Sequence, residues 1–154
     1  MVEIRQIYSG EEKVLGHVMW NAIHSEASLY SEAQRKAWLA APSEGPAWIR
    51  KLEAQKVWVA VVGASPVGFV TLATGGYIDL AFVRSEAQGQ GVFSALLVAL
   101  EETARARKHP RLWTHASLMA EPAFAARGFH VTRRETVMRA DQTLARAEME
   151  KVLT

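Results

Sequence analysis

The chain has no cysteine. That excludes disulfides, thiolate metal sites and a cysteine nucleophile, and it fits a reducing, cytoplasmic location. No apolar run is long enough to span a membrane, and the first residues, MVEIRQIYSGEE, lack the basic and apolar regions of a secretory signal. There is no His-x-x-x-His pair and no acidic cluster, so no metal is expected. No Gly-Lys-Ser or Gly-Lys-Thr follows a glycine-rich loop, which excludes a nucleotide P-loop. No repeat, low-complexity tract or linker interrupts the 154 residues, and 49% hydrophobic with 22% charged residues is an ordinary globular balance, so one domain over 1–154 is expected.

The net charge is +2, and much of the positive surplus lies late, in Arg105, Arg107, Lys108, Arg111, Arg127, Arg133, Arg134 and Arg139. Spread over several elements, these side chains read as a solvated face; the sharper reading is that some of them meet phosphates of a ligand. Aromatic residues that could stack on bases are not interleaved among them, so nucleic acid is not an expected partner.

Periodicity places the elements. Val2 to Tyr8 alternates like a strand. Ser9-x-x-Glu12 has the form of a capping box and introduces a helical stripe from Val14 to about Ala27. A second box, Ser31-x-x-Gln34, starts a short helix that Pro42 stops, and Pro46 suits the first position of another through Trp48, Ile49 and Leu52. Val57 to Val62 and Val67 to Ala73 read as strands joined by Gly63-Ala64-Ser65-Pro66, and Gly75-Gly76 turns the chain into a further strand, Tyr77 to Val83. Leu144 to Leu153 has helix-favouring composition but strand-like alternation, and both assignments stand on pattern alone.

The most informative stretch is 78–97, IDLAFVRSEAQGQGVFSALL. An apolar strand leads through a polar turn and a Gln-Gly-Gln-Gly loop into a helix whose face is Val92, Phe93, Leu96, Leu97, Leu100 and Ala104. Glycines admit close backbone approach, and the free N–H groups of a first helical turn attract an anion without a basic side chain. A dinucleotide fold is a poor match, because six positions separate Val83 from Gly89 and no carboxylate follows near Thr114.

Gln88-Gly89-Gln90-Gly91-Val92-Phe93 resembles the coenzyme A loop, Q/R-x-x-G-x-G/A, of the GCN5-related N-acetyltransferases. The likeness extends upstream to Gly76–Val83, similar to that family's fourth strand with an acid at Asp79, and downstream to Leu112–Phe129, similar to its fifth strand, fourth helix and Gly-Phe turn. Phe93 stands where the family usually has Gly or Ala. The resemblance implies an α/β fold, with a central, mainly antiparallel twisted sheet flanked by helices, and makes 144–153 the final strand after a turn at Ala140-Asp141-Gln142. It also implies acetyl transfer from acetyl-CoA to a primary amine of a small molecule or peptide, with a homodimer as an assembly the family allows.

Residue by residue, the resemblance assigns the pyrophosphate to the backbone of Gln88, Gly89, Gln90, Gly91, Val92, Phe93 and Ser94, and the pantetheine arm to Phe82 and Val83. Phe124 lies where many members carry a tyrosine that protonates the departing thiolate, and here it is left to pack beside the thioester. An alkylammonium with a pKa near ~10.4 must lose a proton before it attacks. Asp79 is the first candidate base, against a reading as a surface aspartate after a turn; His24 and His115 are alternatives. Ser117 is a candidate acid, against a reading as a helix cap. Trp20, Tyr30, Trp38 and Trp48 gather in the N-terminal helices, where they serve a core or line a cleft for an apolar or aromatic amine; Tyr30 and Trp38 are the candidate acceptor contacts. Two rival readings are a non-enzymatic acyl-CoA sensor, suggested by the absent tyrosine, and an acetyltransferase acting on aminoacyl-tRNA.

Overall fold

The computed structural model describes residues 1–153. Seven strands form one sheet in the order β1-β2-β3-β4-β5-β7-β6. They are β1 Val2–Gln6, β2 Lys56–Val62, β3 Ser65–Leu72, β4 Tyr77–Val83, β5 Arg111–Ser117, β6 His130–Arg139 and β7 Gln142–Val152. The helices are α1 Glu12–Ile23, α2 Glu32–Trp38, α3 Pro46–Glu53, α4 Val92–Ala106 and α5 Glu121–Ala126. This is the α/β architecture expected, and the ambiguous last stretch is a strand, paired along its length with β5 and β6.

Each sheet face buries a core of its own. One joins Ile78, Val83, Leu96, Leu100, Leu112 and Phe124 under α4 and α5; the other joins Leu15, Val18, Met19, Trp48, Leu52 and Phe69 under α1 and α3. The apolar stripe of α4 accounts for its docking: Val92, Leu96, Leu97, Leu100 and Ala104 are all buried.

Three local expectations change. Ser9 caps nothing; α1 begins after Glu11, whose carboxylate accepts the Tyr8 N–H at 2.8 Å and is held by Arg5 at 2.8 and 2.9 Å. The Glu11 N–H, a donor that a Ser9 cap would accept, goes instead to the Tyr8 carbonyl at 3.1 Å, and the Glu12 carboxylate accepts the Gly10 N–H at 3.1 Å rather than that of Ser9. The helix also stops at Ile23 rather than near Ala27. The β2–β3 connection is two residues, Gly63-Ala64, with Val62 opposite Ser65 and Gly63 at φ +63°; Pro66 lies inside β3 at an irregularity of the pairing, where its missing N–H is tolerated. The Ser31–Gln34 box forms in both directions, and Pro46 opens α3.

All the strand pairs are antiparallel except β4 with β5, which meet only at Tyr77–Trp113 and Ile78–Thr114 before parting. A bulge accompanies the divergence. Val70 pairs with Ala81 and Leu72 with Ile78, so Asp79 and Leu80 together stand opposite Thr71. The fully buried Thr71 hydroxyl accepts the Leu80 N–H at 3.0 Å. The V-shaped opening between β4 and β5 is where the cavities lie.

Candidate active site

On one side of the opening, a cavity of about 410 Å³ runs along the end of β4 and the start of α4. Phe82, Val83, Gln88, Gly89, Gly91, Val92, Phe93 and Ser94 all line it. Gly91 precedes α4 in the left-handed region at φ +80°, and Gly89 has φ +77°; a Cβ at either would meet nothing within 4 Å. No side chain caps this helix, so among the described residues the N–H groups of Val92, Phe93 and Ser94 have no protein acceptor. Open space, glycine backbone and three unpartnered donors at a helix start fit a pyrophosphate. The Gln88 side chain is turned away to the loop itself, donating to the Val83 carbonyl at 3.0 Å, and that of Gln90 donates to Glu86 at 3.3 Å outside the cavity lining.

On the other side lies a cavity of about 290 Å³, lined by Tyr30, Trp38, Lys51, Tyr77, Asp79, His115, Arg139 and Arg146 among others. The two cavities share Trp38, Ala81, Phe82, Ser117 and Ala120. Ser117 and Phe82 therefore stand at their junction, at the ends of the two diverging strands. The Ser117 hydroxyl accepts the Ala120 N–H at 3.2 Å, a cap-like bond that leaves its own proton available.

The remaining candidates are dispersed. Asp79 lines the second cavity, its Oδ2 accepting from Gln55 at 2.9 Å and lying 3.6 Å from the Lys51 ammonium. Phe124, assigned to the cofactor side, is 1% exposed and borders the second cavity, packed between Phe93 and Phe129. Tyr30 is buried and its hydroxyl is fully used, donating to Ala145 at 2.6 Å and accepting from Leu118 at 2.9 Å, which ties α2's leading segment to β7 and to the turn after β5. Trp38 packs on Tyr30 and Phe82 with ring centroids 5.6 and 6.1 Å apart. Trp48 is core, with its indole N–H on the Glu12 carbonyl, and Trp20 stacks on His24, whose Nε2 is 2.7 Å from the Leu39 carbonyl. Those contacts make His24 a structural residue.

His115 is placed differently. Its Nδ1 is 2.8 Å from the Tyr77 hydroxyl and its Nε2 3.9 Å from Glu148. Burial, with Arg146 adding to it, pushes its pKa below the ordinary histidine range, so the ring is neutral at neutral pH. Burial likewise raises Tyr77, with the Asp79 charge adding to it, and keeps that phenol protonated. Two arginines of the late basic run also belong here, Arg127 lining the first cavity and Arg139 the second, where Arg146, not singled out in the sequence, joins it. By contrast Arg111, Arg133 and Arg134 are paired with Glu150, Glu135 and Glu121, the solvated pattern expected of the basic run.

Comparison with known proteins agrees with this geometry. Residues 13–152 match the family model of the acetyltransferase (GNAT) domain. Over 137 residues the sequence is 34% identical to the uncharacterized N-acetyltransferase YafP of Escherichia coli strain K12, covering 88% of this chain and 86% of that protein. The crystal structure of a GCN5-related N-acetyltransferase from Rhodopseudomonas palustris superposes with a TM-score of 0.91 at 31% identity, covering 98% of this chain and 95% of that one. YncA from Salmonella typhimurium, solved with its cofactor acetyl-CoA, shares the fold at 17% identity and a TM-score of 0.71, with 100% and 95% covered. Among the described residues no group of acidic, histidine or cysteine side chains could hold a metal, and no helix is long and apolar enough to cross a membrane.

Proposed function

Because the chain belongs to the GNAT family and is an acetyl-CoA-dependent N-acetyltransferase, we propose that transfer takes place where its two cavities meet, at Phe82 and Ser117. The observation that carries this reading is the sharing of those residues by a glycine-lined anion cradle and a second, polar cavity at the β4–β5 opening. The pyrophosphate rests on the backbone from Gly89 to Ser94, with Arg127 on the same cavity wall. The pantetheine arm runs beside β4, whose edge toward β5 is unpaired beyond Ile78 and supplies backbone groups as a sheet edge does to a peptide.

The acceptor amine enters from the second cavity. Its nitrogen attacks the thioester carbonyl carbon, the carbon–sulfur bond breaks, and the thiolate leaves. Asp79, through water, takes the ammonium proton before attack and passes it to solvent; the second proton, lost by nitrogen as the amide forms, replaces the one that Ser117 gives to sulfur. A thiol pKa near ~8.5 makes this last step undemanding, which fits an enzyme with Phe124 rather than tyrosine. A second reading makes His115 the base, favoured by its neutral ring in the same cavity. The acceptor is a small molecule or peptide, with Trp38 along its path.

The test is thiol release from acetyl-CoA with a panel of amino acids, polyamines, aminoglycosides and peptide N-termini. Release that depends on an amine supports this reading. Acetyl-CoA binding without release for every amine would return the acyl-CoA sensor, and an RNA-dependent acceptor would return the aminoacyl-tRNA reading.

A further inference from the structure

The acceptor cavity does not end at Asp79. It continues into a cleft between α1, α3 and the β6–β7 turn, lined by Leu39, Pro42, Trp48 and others, and the two spaces share Met19, Trp38, Lys51, Leu80 and Arg139. Charge is distributed unevenly along this path. Lys51 lies 3.6 Å from Asp79, Glu44 in the cleft lies 3.8 Å from Lys13, and Arg146 is held by Glu135 at 2.6 and 2.7 Å. Arg139 is left over. Among the described residues no carboxylate lies within ion-pair distance of it, and its one hydrogen bond, at 2.9 Å, goes to the neighbouring Met138 carbonyl.

Its position is built into the fold. Arg139 is the last residue of β6, opposite Gln142 across a two-residue turn in which Ala140 adopts φ +52°, so hairpin register sets where the guanidinium starts. The cleft side is mainly apolar and aromatic, with Ile23, Leu39, Pro42 and Trp48, while the cavity side sets Asp79 and His115 beside Trp38 and Leu80, which are common to both spaces.

We infer that the acceptor is an amine that also carries a carboxylate, with an apolar or aromatic body, and that Arg139 binds the carboxylate at the junction of cavity and cleft. This rests on the reading that the amine enters from the second cavity. A guanidinium offers two parallel donors to a carboxylate, and its charge has no protein anion to leave. A neutral amine of the same shape would leave that cation without an anion. Hydrogen bonds to charged groups are worth a factor of roughly 10 to 100 in binding.

The experiment compares aromatic amino acids of two chain lengths, phenylalanine and its β-homologue, with their carboxamides, measuring thiol release from acetyl-CoA. In the wild type, kcat/KM for the acids should exceed that for the amides by roughly 10-fold or more, chiefly through KM. Arg139→Gln should abolish the preference by lowering only the acids, while leaving acetyl-CoA affinity unchanged. Arg139→Lys should keep part of it. Equal rates for acids and amides in the wild type, or a preference that survives Arg139→Gln, would overturn the inference while leaving acetyl transfer at this junction standing. Absence of release with acids and amides alike, while a polyamine or aminoglycoside is acetylated, would also overturn it. Absence of release with every amine would instead remove the transfer site itself.

Discussion

Phe93, in the first turn of α4, and Phe124, in α5, meet edge to face with ring centroids 5.0 Å apart and planes at 89°. These are the two positions at which the chain departs from the residues its resemblance implies, a small residue in the loop and a tyrosine before the Gly-Phe turn. The departures are therefore one feature. Phe93 occupies the space beside α5 and Phe124 turns its edge to it, with Phe129 on the other side at 5.1 Å. Such a pair contributes ~0.5–1.5 kcal/mol beyond its buried area. Phe93→Leu and Phe124→Leu should each destabilise, and a double-mutant cycle on thermal or urea unfolding should give a coupling of about 1 kcal/mol. Additive losses would mean that the rings merely touch. In Phe124→Tyr turnover should be equal or higher, because the hydroxyl is added beside the junction without shortening the apolar ring.

The loop prediction separates backbone from side chain. If the proposed donors, the N–H groups of Val92, Phe93 and Ser94, hold the pyrophosphate, Gly91→Asp should weaken acetyl-CoA by roughly 10-fold or more through charge at that helix start. The same carboxylate favours the helix start, which offsets part of the ~1–2 kcal/mol strain of a non-glycine residue at φ +80°. Calorimetric titration should therefore record a large loss of affinity with a modest change in melting temperature. Unaltered acetyl-CoA affinity in Gly91→Asp would exclude this loop as the pyrophosphate site.

Much of this was legible in the chain because it is local. The loop proposed to hold coenzyme A is a strand end, two glycines and a helix start, all within 78–97, and Ser31 and Gln34 cap each other across one turn. Ser9 failed for a reason also local but of a different kind: the turn closes on Tyr8, whose carbonyl takes the Glu11 N–H and whose own N–H goes to the Glu11 carboxylate that Arg5 on β1 fixes. The acceptor side was less legible. Arg139 and Arg146 come from β6 and β7, Lys51 from α3 and His115 from β5, and only long-range strand pairing gathers them. Nothing in the spacing of the basic run distinguishes Arg139, which has no acidic partner among the described residues, from Arg134, which is bonded twice to Glu121.

The Arg5–Glu11 pair makes acid stability predictable. The Arg5 hydrogen bonds, with the Tyr8 N–H helping, hold Glu11 below its ordinary value despite partial burial. The folded state thus binds fewer protons than the unfolded one between the two values. The pair's contribution is complete above the unfolded carboxylate pKa of about 4.3 and is lost as pH falls through the lower folded value. Glu11→Gln should cost about 1 kcal/mol at pH 7 and nothing further on acidification, so mutant and wild-type melting temperatures should converge below pH 4. Curves that stay parallel would show that the pair contributes nothing through its charge.

Gly16 tests how α1 supports both cavities. A Cβ there would run into the Ser43 carbonyl, backbone that cannot rotate away, while Met19 and Ile23 on the same helix line the cavity walls. Ala is the better helix former by ~1 kcal/mol, but the overlap costs about 1–3 kcal/mol. Gly16→Ala should lower the melting temperature and weaken acceptor turnover together. A stabilised protein would mean that the 42–45 segment yields readily.

The base is the last question that mutation can decide. Asp79→Asn keeps size and its contact with Gln55 but removes basicity, so turnover at pH 7 should fall by roughly 10²-fold or more while acetyl-CoA affinity holds. Raising the pH supplies free amine, so the mutant should recover where the wild type is already flat. His115→Gln should cost less than about 10-fold and leave the pH profile in place. If His115 were the base, its depressed pKa would put the acidic limb of kcat/KM below 6.5, and His115→Gln would erase that limb. An Asp79→Asn enzyme with full turnover, beside a His115→Gln enzyme with none, would transfer the role to the imidazole and leave Asp79 as the anion that holds Lys51 and Gln55 at the bulge.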